Sequence, residues 1–282
     1  MEQIGIIGLG LMGSAMAQRM TSQGQAVLGW TRSGRPVDGV KSAQDLESLV
    51  ESSDTLITSL FGDEAVAEVL DRLLTFDLKG KQIIETSTVM PDILKSRIQR
   101  ISKAGASAVD APISGGPDMV LAGSCGVFIG GTDDAAARAS ASLASLSGRI
   151  IHVGPLGTGL IMKVINNGMI QTYFAGLSEL MPLAQEAGLP LETALRILCG
   201  GPAGMPLITN KIPKVLGEDK EVGFALNTAF KDNDVCMRVL DSFGLDSPVL
   251  SCFDKLKDDV AEAGLLDGDP AALINLAYDG RK

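Results

Sequence analysis

A lysine and an asparagine four residues apart raise the first chemical question. Lys163 lies in the apolar run Leu160-Ile161-Met162-Lys163-Val164-Ile165, and Asn167 follows at a spacing that puts both side chains on one helical face, one turn apart. Burial there would favour the neutral amine and suit it to giving or taking a proton, with the amide orienting the ammonium or a substrate oxygen. The residues alone fit equally well a lysine that snorkels to water beside helix-surface asparagines. Histidine chemistry is poorly supplied, because His152 is the one histidine in 282 residues. It could act as a general acid, although a lone histidine on a strand more often serves structure. A serine-hydrolase triad would need that same residue and a serine elbow that the chain lacks.

A second constellation concerns phosphate. Gly8-Leu9-Gly10-Leu11-Met12-Gly13 follows an apolar run and opens a segment of helical period. In that strand-turn-helix context the glycines give a tight turn, close approach of backbone amides to a pyrophosphate, and close helix-to-strand packing. The helix start adds unpaired amides and a favourable dipole. Gly8, Leu9, Gly10, Leu11, Met12 and Gly13 are therefore expected to hold a nicotinamide dinucleotide. The next apolar run ends at Trp30 and passes into Thr31-Arg32-Ser33, with no carboxylate for the ribose hydroxyls of NAD. A guanidinium between two hydroxyls, reinforced by Arg35, suits a 2′-phosphate, so NADP (as NADPH) is expected over NAD. A solvated loop arginine is the bland alternative.

These groups need a scaffold, and the chain's periodicity supplies one. Apolar runs at 3–7, 26–30, 55–60, 82–86, 106–110, 126–130 and 149–153 alternate with helical segments such as 14–22, 64–74, 92–103 and 133–147. That alternation predicts parallel strands joined by crossover helices, an α/β doubly wound sheet of the Rossmann kind. After the glycine-rich loop 153–159, strand-like runs largely disappear. A long helix is expected over about 160–187, stopped by Gly188-Leu189-Pro190, and further helices over 191–199, 227–243, 248–263 and 270–278. The expected organisation is a dinucleotide-binding domain over 1–159 and an all-helical C-terminal domain over 160–282, joined by the long interdomain helix.

Composition narrows the partners. Thirty-four acidic against 24 basic residues give a formal charge of −10, which repels phosphate backbones and anionic lipid, so no nucleic acid or membrane partner is expected. No apolar run approaches the roughly 20 residues that span a bilayer. Four scattered cysteines without a CxxC pair read as reduced thiols, and no metal site is expected. The opening residues carry neither the basic flank nor the cleavage site of a secretory signal, and a cytoplasmic location is expected.

Four blocks give the chain a resemblance to the β-hydroxyacid dehydrogenase family, of the 3-hydroxyisobutyrate dehydrogenase, tartronate semialdehyde reductase and glyoxylate/succinic semialdehyde reductase type. They are Ile6-Ile7-Gly8-Leu9-Gly10-Leu11-Met12-Gly13 with Met16-Ala17, Asp110-Ala111-Pro112-Ile113-Ser114-Gly115-Gly116, Gly157-Thr158-Gly159 leading to Lys163 and Asn166-Asn167, and Phe230-Lys231-Asp232. They stand in the family's order and spread over most of the chain. The resemblance implies Lys163 and Asn167 as catalytic residues. It implies Ser114, Gly115, Gly116 and Lys231 as the substrate-carboxylate site, with Gly123 a candidate for the same wall. Cofactor contacts are implied at Thr31, Arg32, Ser33, Leu60, Phe61, Thr88 and Lys231. Asp232 would fix Lys231 or a neighbouring backbone group.

The chain departs from the family pattern at Leu60-Phe61-Gly62, where Leu-Pro is common, at Thr31, where Asn is frequent, and at Asn233-Asp234, where an apolar residue is typical. The implied activity is NADP-dependent interconversion of a short β-hydroxyacid and its semialdehyde or keto acid. Imine reduction on the same two-domain plan, or a non-catalytic NADPH-binding sensor or scaffold, are the alternatives. Apolar residues of the long helix, Met162, Met169, Tyr173, Phe174 and Leu177, suggest a homo-oligomer, dimer or tetramer, and burial within one chain explains them equally well.

Overall fold

The computed structural model describes residues 2–279. They divide into two compact units between Asn166 and Asn167, seven residues beyond the expected boundary and inside the long helix itself.

The first unit runs β1 (Gln3–Ile7), α1 (Leu11–Ser22), β2 (Ala26–Trp30), β3 (Lys41–Ser42), α2 (Leu46–Ser52), β4 (Thr55–Thr58), α3 (Asp63–Leu73) and β5 (Gln82–Glu85). It continues through α4 (Asp92–Lys95), α5 (Ile98–Lys103), β6 (Ser107–Asp110), β7 (Ile113–Ser114), α6 (Pro117–Leu121), β8 (Gly126–Gly130), α7 (Asp133–Leu143) and β9 (Arg149–Gly154). The strands form one sheet in the order β3-β2-β1-β4-β5-β6-β8-β7, with β9 paired to β8. From β3 to β6 all pairing is parallel. Period-2 alternation serves both faces: Ile4 and Ile6 enter one core with Met16, Met20, Ala139 and Leu143, while Ile7, Leu56 and Ile83 enter the other with Leu49, Leu70 and Ile101. The chain leaves β1 toward β2 and β3 on one side and then returns from β3 to lay β4 on the other side of β1. The crevice beyond the carboxyl ends of β1 and β4 is thus the switch point at which doubly wound sheets bind ligands.

The expectation of uniformly parallel strands needs correction at β8, which is antiparallel to β6 and β7. Residues 115–125 turn back through the short α6, which packs on α1 rather than crossing the sheet. A short return of this kind can only produce an antiparallel neighbour. The helix expected over 92–103 is broken in two. Arg97 donates its guanidinium to the Ile93 carbonyl at 2.9 Å, while its own amide turns to Leu94 at 3.0 Å, so the bond that would continue the helix is replaced by a side chain.

The second unit takes up α8 (Thr158–Glu186) at Asn167 and continues through α9 (Leu191–Gly200), α10 (Pro206–Val215), α11 (Leu226–Ser242), α12 (Pro248–Asp254), α13 (Leu256–Glu262) and α14 (Ala271–Tyr278). Its core gathers Phe174, Leu177, Leu195, Ile208, Phe230, Phe253 and Ile274, with the Phe230 and Phe253 rings 5.0 Å apart. Two of the apolar residues that suggested an outer surface, Phe174 and Leu177, are therefore core, whereas Met169 is exposed. Among the described residues no helix is long and apolar enough to cross a membrane.

Candidate active site

The first unit presents the glycine turn where β1 meets α1. Gly8 adopts φ +96°, its amide bonds the Trp30 carbonyl at 2.9 Å, and a Cβ there would stand 2.2 Å from the Ser59 carbonyl oxygen. A Cβ on Gly13 would lie 1.9 Å from the Gly8 oxygen, so both positions are closed to any side chain. Gly10 is the opposite case: a Cβ there would meet nothing within 4 Å, and no side chain caps the helix it precedes. Open space before uncapped amides is what an incoming pyrophosphate requires, so these residues fit a dinucleotide.

Around this turn stand the other expected cofactor residues. Thr31, Arg32 and Ser33 form the turn after β2, and the Arg32 side chain is 86% exposed and stands 3.8 Å from the Glu68 carboxylate. The Trp30 ring at the strand end lies 5.9 Å from the Arg72 guanidinium. After β4, the Leu60 amide donates to Ser87 Oγ at 2.9 Å, tying the Leu60-Phe61-Gly62 segment to the Ser87-Thr88 segment after β5. In the Leu60-Phe61-Gly62 segment, which stands where Leu-Pro is common, Gly62 takes φ +88° to start α3 and Phe61 is left exposed.

Below these segments lies a carboxyl that the sequence reading did not single out. Glu85 is fully buried, accepts the Ser87 amide at 2.6 Å and the Thr58 hydroxyl, and is pushed up to about 7 by burial, against the pull of those two partners.

The substrate block and the lysine come together within the first unit. Lys163, half-buried on α8, donates from Nζ to the Ile113 carbonyl at 2.6 Å. Ile113 and Ser114 form β7, pinned to β8 by the pairs Ile113↔Val127 and Ser114↔Gly126, and Gly115 and Gly116 follow directly. An ammonium is thus held on the residue that directly precedes a hydroxyl and two glycine amides, groups that can respectively exchange a proton with a neighbouring oxygen and seat a carboxylate. Gly123 has a different reason to be glycine: its missing Cβ makes room for the Arg19 guanidinium, which bonds the Ser145 and Leu121 carbonyls. His152 binds the Gly131 and Gly154 carbonyls through Nε2, each at 3.0 Å, a backbone staple at the end of β9.

The second unit holds the remaining pair. Asn167 is buried and donates from Nδ2 to Asp232 Oδ2 at 2.9 Å. Asp232 Oδ1 stands 2.5 Å from Lys231 Nζ, an ion pair without hydrogen-bond alignment. Asp232 therefore serves Asn167 as well as Lys231, and within the ion pair Asp232 is buried and Lys231 half-buried. The unusual Asn233 ties α11 to α12 through the Leu250 carbonyl at 3.1 Å, and Asp234 pairs with Arg238 on the surface. Both departures thus have structural partners.

Comparison with known proteins agrees with this layout. A family model of the NAD binding domain of 6-phosphogluconate dehydrogenase matches residues 3–154, and one for the NAD-binding region of NADP-dependent 3-hydroxyisobutyrate dehydrogenase matches residues 157–277. The chain is 28% identical over 271 residues to the uncharacterized oxidoreductase YkwC of Bacillus subtilis strain 168, covering 93% of this chain and 94% of that protein. It is 26% identical over 290 residues to 3-sulfolactaldehyde reductase of Escherichia coli K12, covering 97% and 95%. In three dimensions it resembles Mycobacterium tuberculosis 3-hydroxyisobutyrate dehydrogenase, solved with L-serine, at a TM-score of 0.87 and 24% identity over 98% of both chains.

Proposed function

The chain belongs to the β-hydroxyacid dehydrogenase family of NAD(P)-binding oxidoreductases, and on that footing we propose that it interconverts a short β-hydroxyacid and its semialdehyde or keto acid, with Lys163 as general acid and base. One observation carries the reading: Lys163 Nζ lies 2.6 Å from the carbonyl of Ile113, the residue before Ser114-Gly115-Gly116. A bound nicotinamide dinucleotide supplies or accepts the hydride. The Ser114 hydroxyl and the amides of Gly115 and Gly116 hold the substrate carboxylate. Lys163 Nζ gives a proton to the carbonyl oxygen in reduction and removes it in oxidation. Within the second unit, Asn167 and Lys231 are both held by Asp232, and we assign Asn167 a catalytic role and Lys231 a substrate- and cofactor-binding one. Gly8 to Gly13 take the pyrophosphate, and the exposed Arg32 between Thr31 and Ser33 supports NADP over NAD.

The test is an NADPH-coupled screen of glyoxylate, succinic semialdehyde, tartronate semialdehyde and methylmalonate semialdehyde, with a cyclic imine as control and Lys163→Met alongside. The semialdehydes or glyoxylate should outpace the imine, and the Met variant should lose about 10²-fold or more in kcat with dinucleotide affinity kept. Full turnover by that variant refutes the role given to the lysine.

A further inference from the structure

We propose that Asp110 is a positioning residue for Lys163, setting where the first turns of α8 lie and hence where the ammonium is held; the inference rests on the reading of Lys163 as proton donor. Asp110 is the last residue of β6, and none of its surface is exposed. Its two carboxylate oxygens each accept one backbone amide from the start of α8: Oδ1 takes Gly157 at 2.6 Å and Oδ2 takes Leu160 at 2.7 Å. Amides at a helix start have no partner within the helix, and here a carboxylate some 50 residues away in sequence supplies it at the positive end of the dipole.

The contact is also closed sterically. A Cβ on Gly159 would meet the Phe128 carbonyl oxygen at 2.3 Å and Asp110 Oδ2 at 2.8 Å, and one on Gly130 would meet Asp110 Oδ1 at 2.4 Å. Bare backbone on both sides lets the helix start sit directly on β6 and β8, with the carboxylate between.

Lys163 follows Leu160 by three residues and reaches back to Ile113, three residues past Asp110. The stretch from 110 to 113 therefore grips α8 twice, once by its first amides and once by the lysine's ammonium. Misplacement of a reacting group by about 1 Å can cost on the order of 10² in rate, so the first grip governs what the second can do. Replacing a carboxylate that only stabilised the helix would lower the melting temperature without altering the chemistry of an intact chain.

The decisive experiment is a double-mutant cycle on the full-length protein with Asp110→Asn, Lys163→Met and the pair. It measures kcat, KM, the pH profile, the dinucleotide dissociation constant by fluorescence and amide exchange across residues 157–160. Asn keeps the shape but sets an NH2 group against an amide donor. We expect Asp110→Asn to lower kcat about tenfold or more, shift the pH profile and speed exchange at 157–160 while dinucleotide affinity holds. In the Lys163→Met background it should add no further loss.

If Lys163→Met is fully active, the reading of the lysine fails and this inference falls with it. If that variant is impaired but Asp110→Asn has the parent's kcat and pH profile, or costs the same factor in both backgrounds, the positioning role alone is overturned. Should Asp110→Asn not fold, Asp110→Ser, whose hydroxyl still accepts one amide, takes its place in the cycle. Failure of both to fold assigns Asp110 to folding only and likewise refutes the inference.

Discussion

Replacing Glu85 by Gln should stabilise the protein above neutral pH and leave it nearly unchanged in acid. Glu85 ends β5, fully buried, with the Ser87 amide and Thr58 hydroxyl as partners and Asp110 beside it in register on β6. Burial is the main cause that pushes its carboxyl from 4.5 to about 7, and repulsion from Asp110 adds to it. Below about pH 4.5 the group is protonated in both the folded and the unfolded chain and contributes nothing. Between 4.5 and 7 the unfolded chain releases the proton while the folded chain keeps it, so stability falls as pH rises through that window. Above 7 both forms are ionised and the loss is complete. At about 1.4 kcal/mol per pH unit, the interval amounts to roughly 3 kcal/mol.

Glutamine cannot ionise, and its amide can still accept the Ser87 N–H and meet the Thr58 hydroxyl. Urea unfolding of both proteins at pH 5 and pH 8 isolates the effect, because Asp110 is present in each. The advantage of Gln over Glu should grow by up to about 3 kcal/mol between acid and pH 8, equivalent to several degrees of melting temperature for a unit of this size. An advantage that does not change with pH, or that shrinks as pH rises, would refute the assignment of a neutral buried acid.

Two further predictions concern the dinucleotide. Gly13→Ala puts a methyl 1.9 Å from the Gly8 oxygen, so the turn must shift. Dinucleotide affinity measured by fluorescence titration should fall about tenfold or more, and an unchanged value would mean the turn does not hold the pyrophosphate. Arg32→Ala removes an exposed guanidinium and should raise KM for NADPH roughly tenfold at low salt while sparing NADH. Equal effects on both cofactors would show that Arg32 does not read a 2′-phosphate.

The glycine turn was legible because its chemistry is local: apolar strand, turn and helix are adjacent in sequence, and β1 and β2 occupy the very residues that period and glycine spacing predict. The long helix was legible for the same reason. Pairing direction was not, since alternation says which face a residue takes and nothing about the sense of its neighbour; β8 went wrong there. Three helices, α2, α6 and α10, were missed although their signals were present. Asp45 and Ser48 form a reciprocal capping box at α2, and Pro117 and Pro206 open α6 and α10 as the first helical residues. At the site, the spacing of Lys163 and Asn167 could be read, but their partners, Ile113 and Asp232, stand 50 and 65 residues away.

That distance explains why precision at Lys163 must come from the sheet. An isolated helix fixes side chains relative to its own axis and leaves its rotation and height free. Here both are removed by a strand end: Asp110 holds the first amides of α8, and the carbonyl that receives the ammonium belongs to β7, whose direction is set by the ladder to β8 at Val127 and Gly126. A polar group aimed by a packed sheet needs little reorganisation when charge moves, which is the condition under which a proton donor works well. The stretch from Asp110 to Gly116 thus carries the helix anchor, the lysine's acceptor and the proposed carboxylate seat in seven consecutive residues. Under the proposed function, helix and substrate would be referred to the same rigid edge, and an error in one would not be compounded by an error in the other.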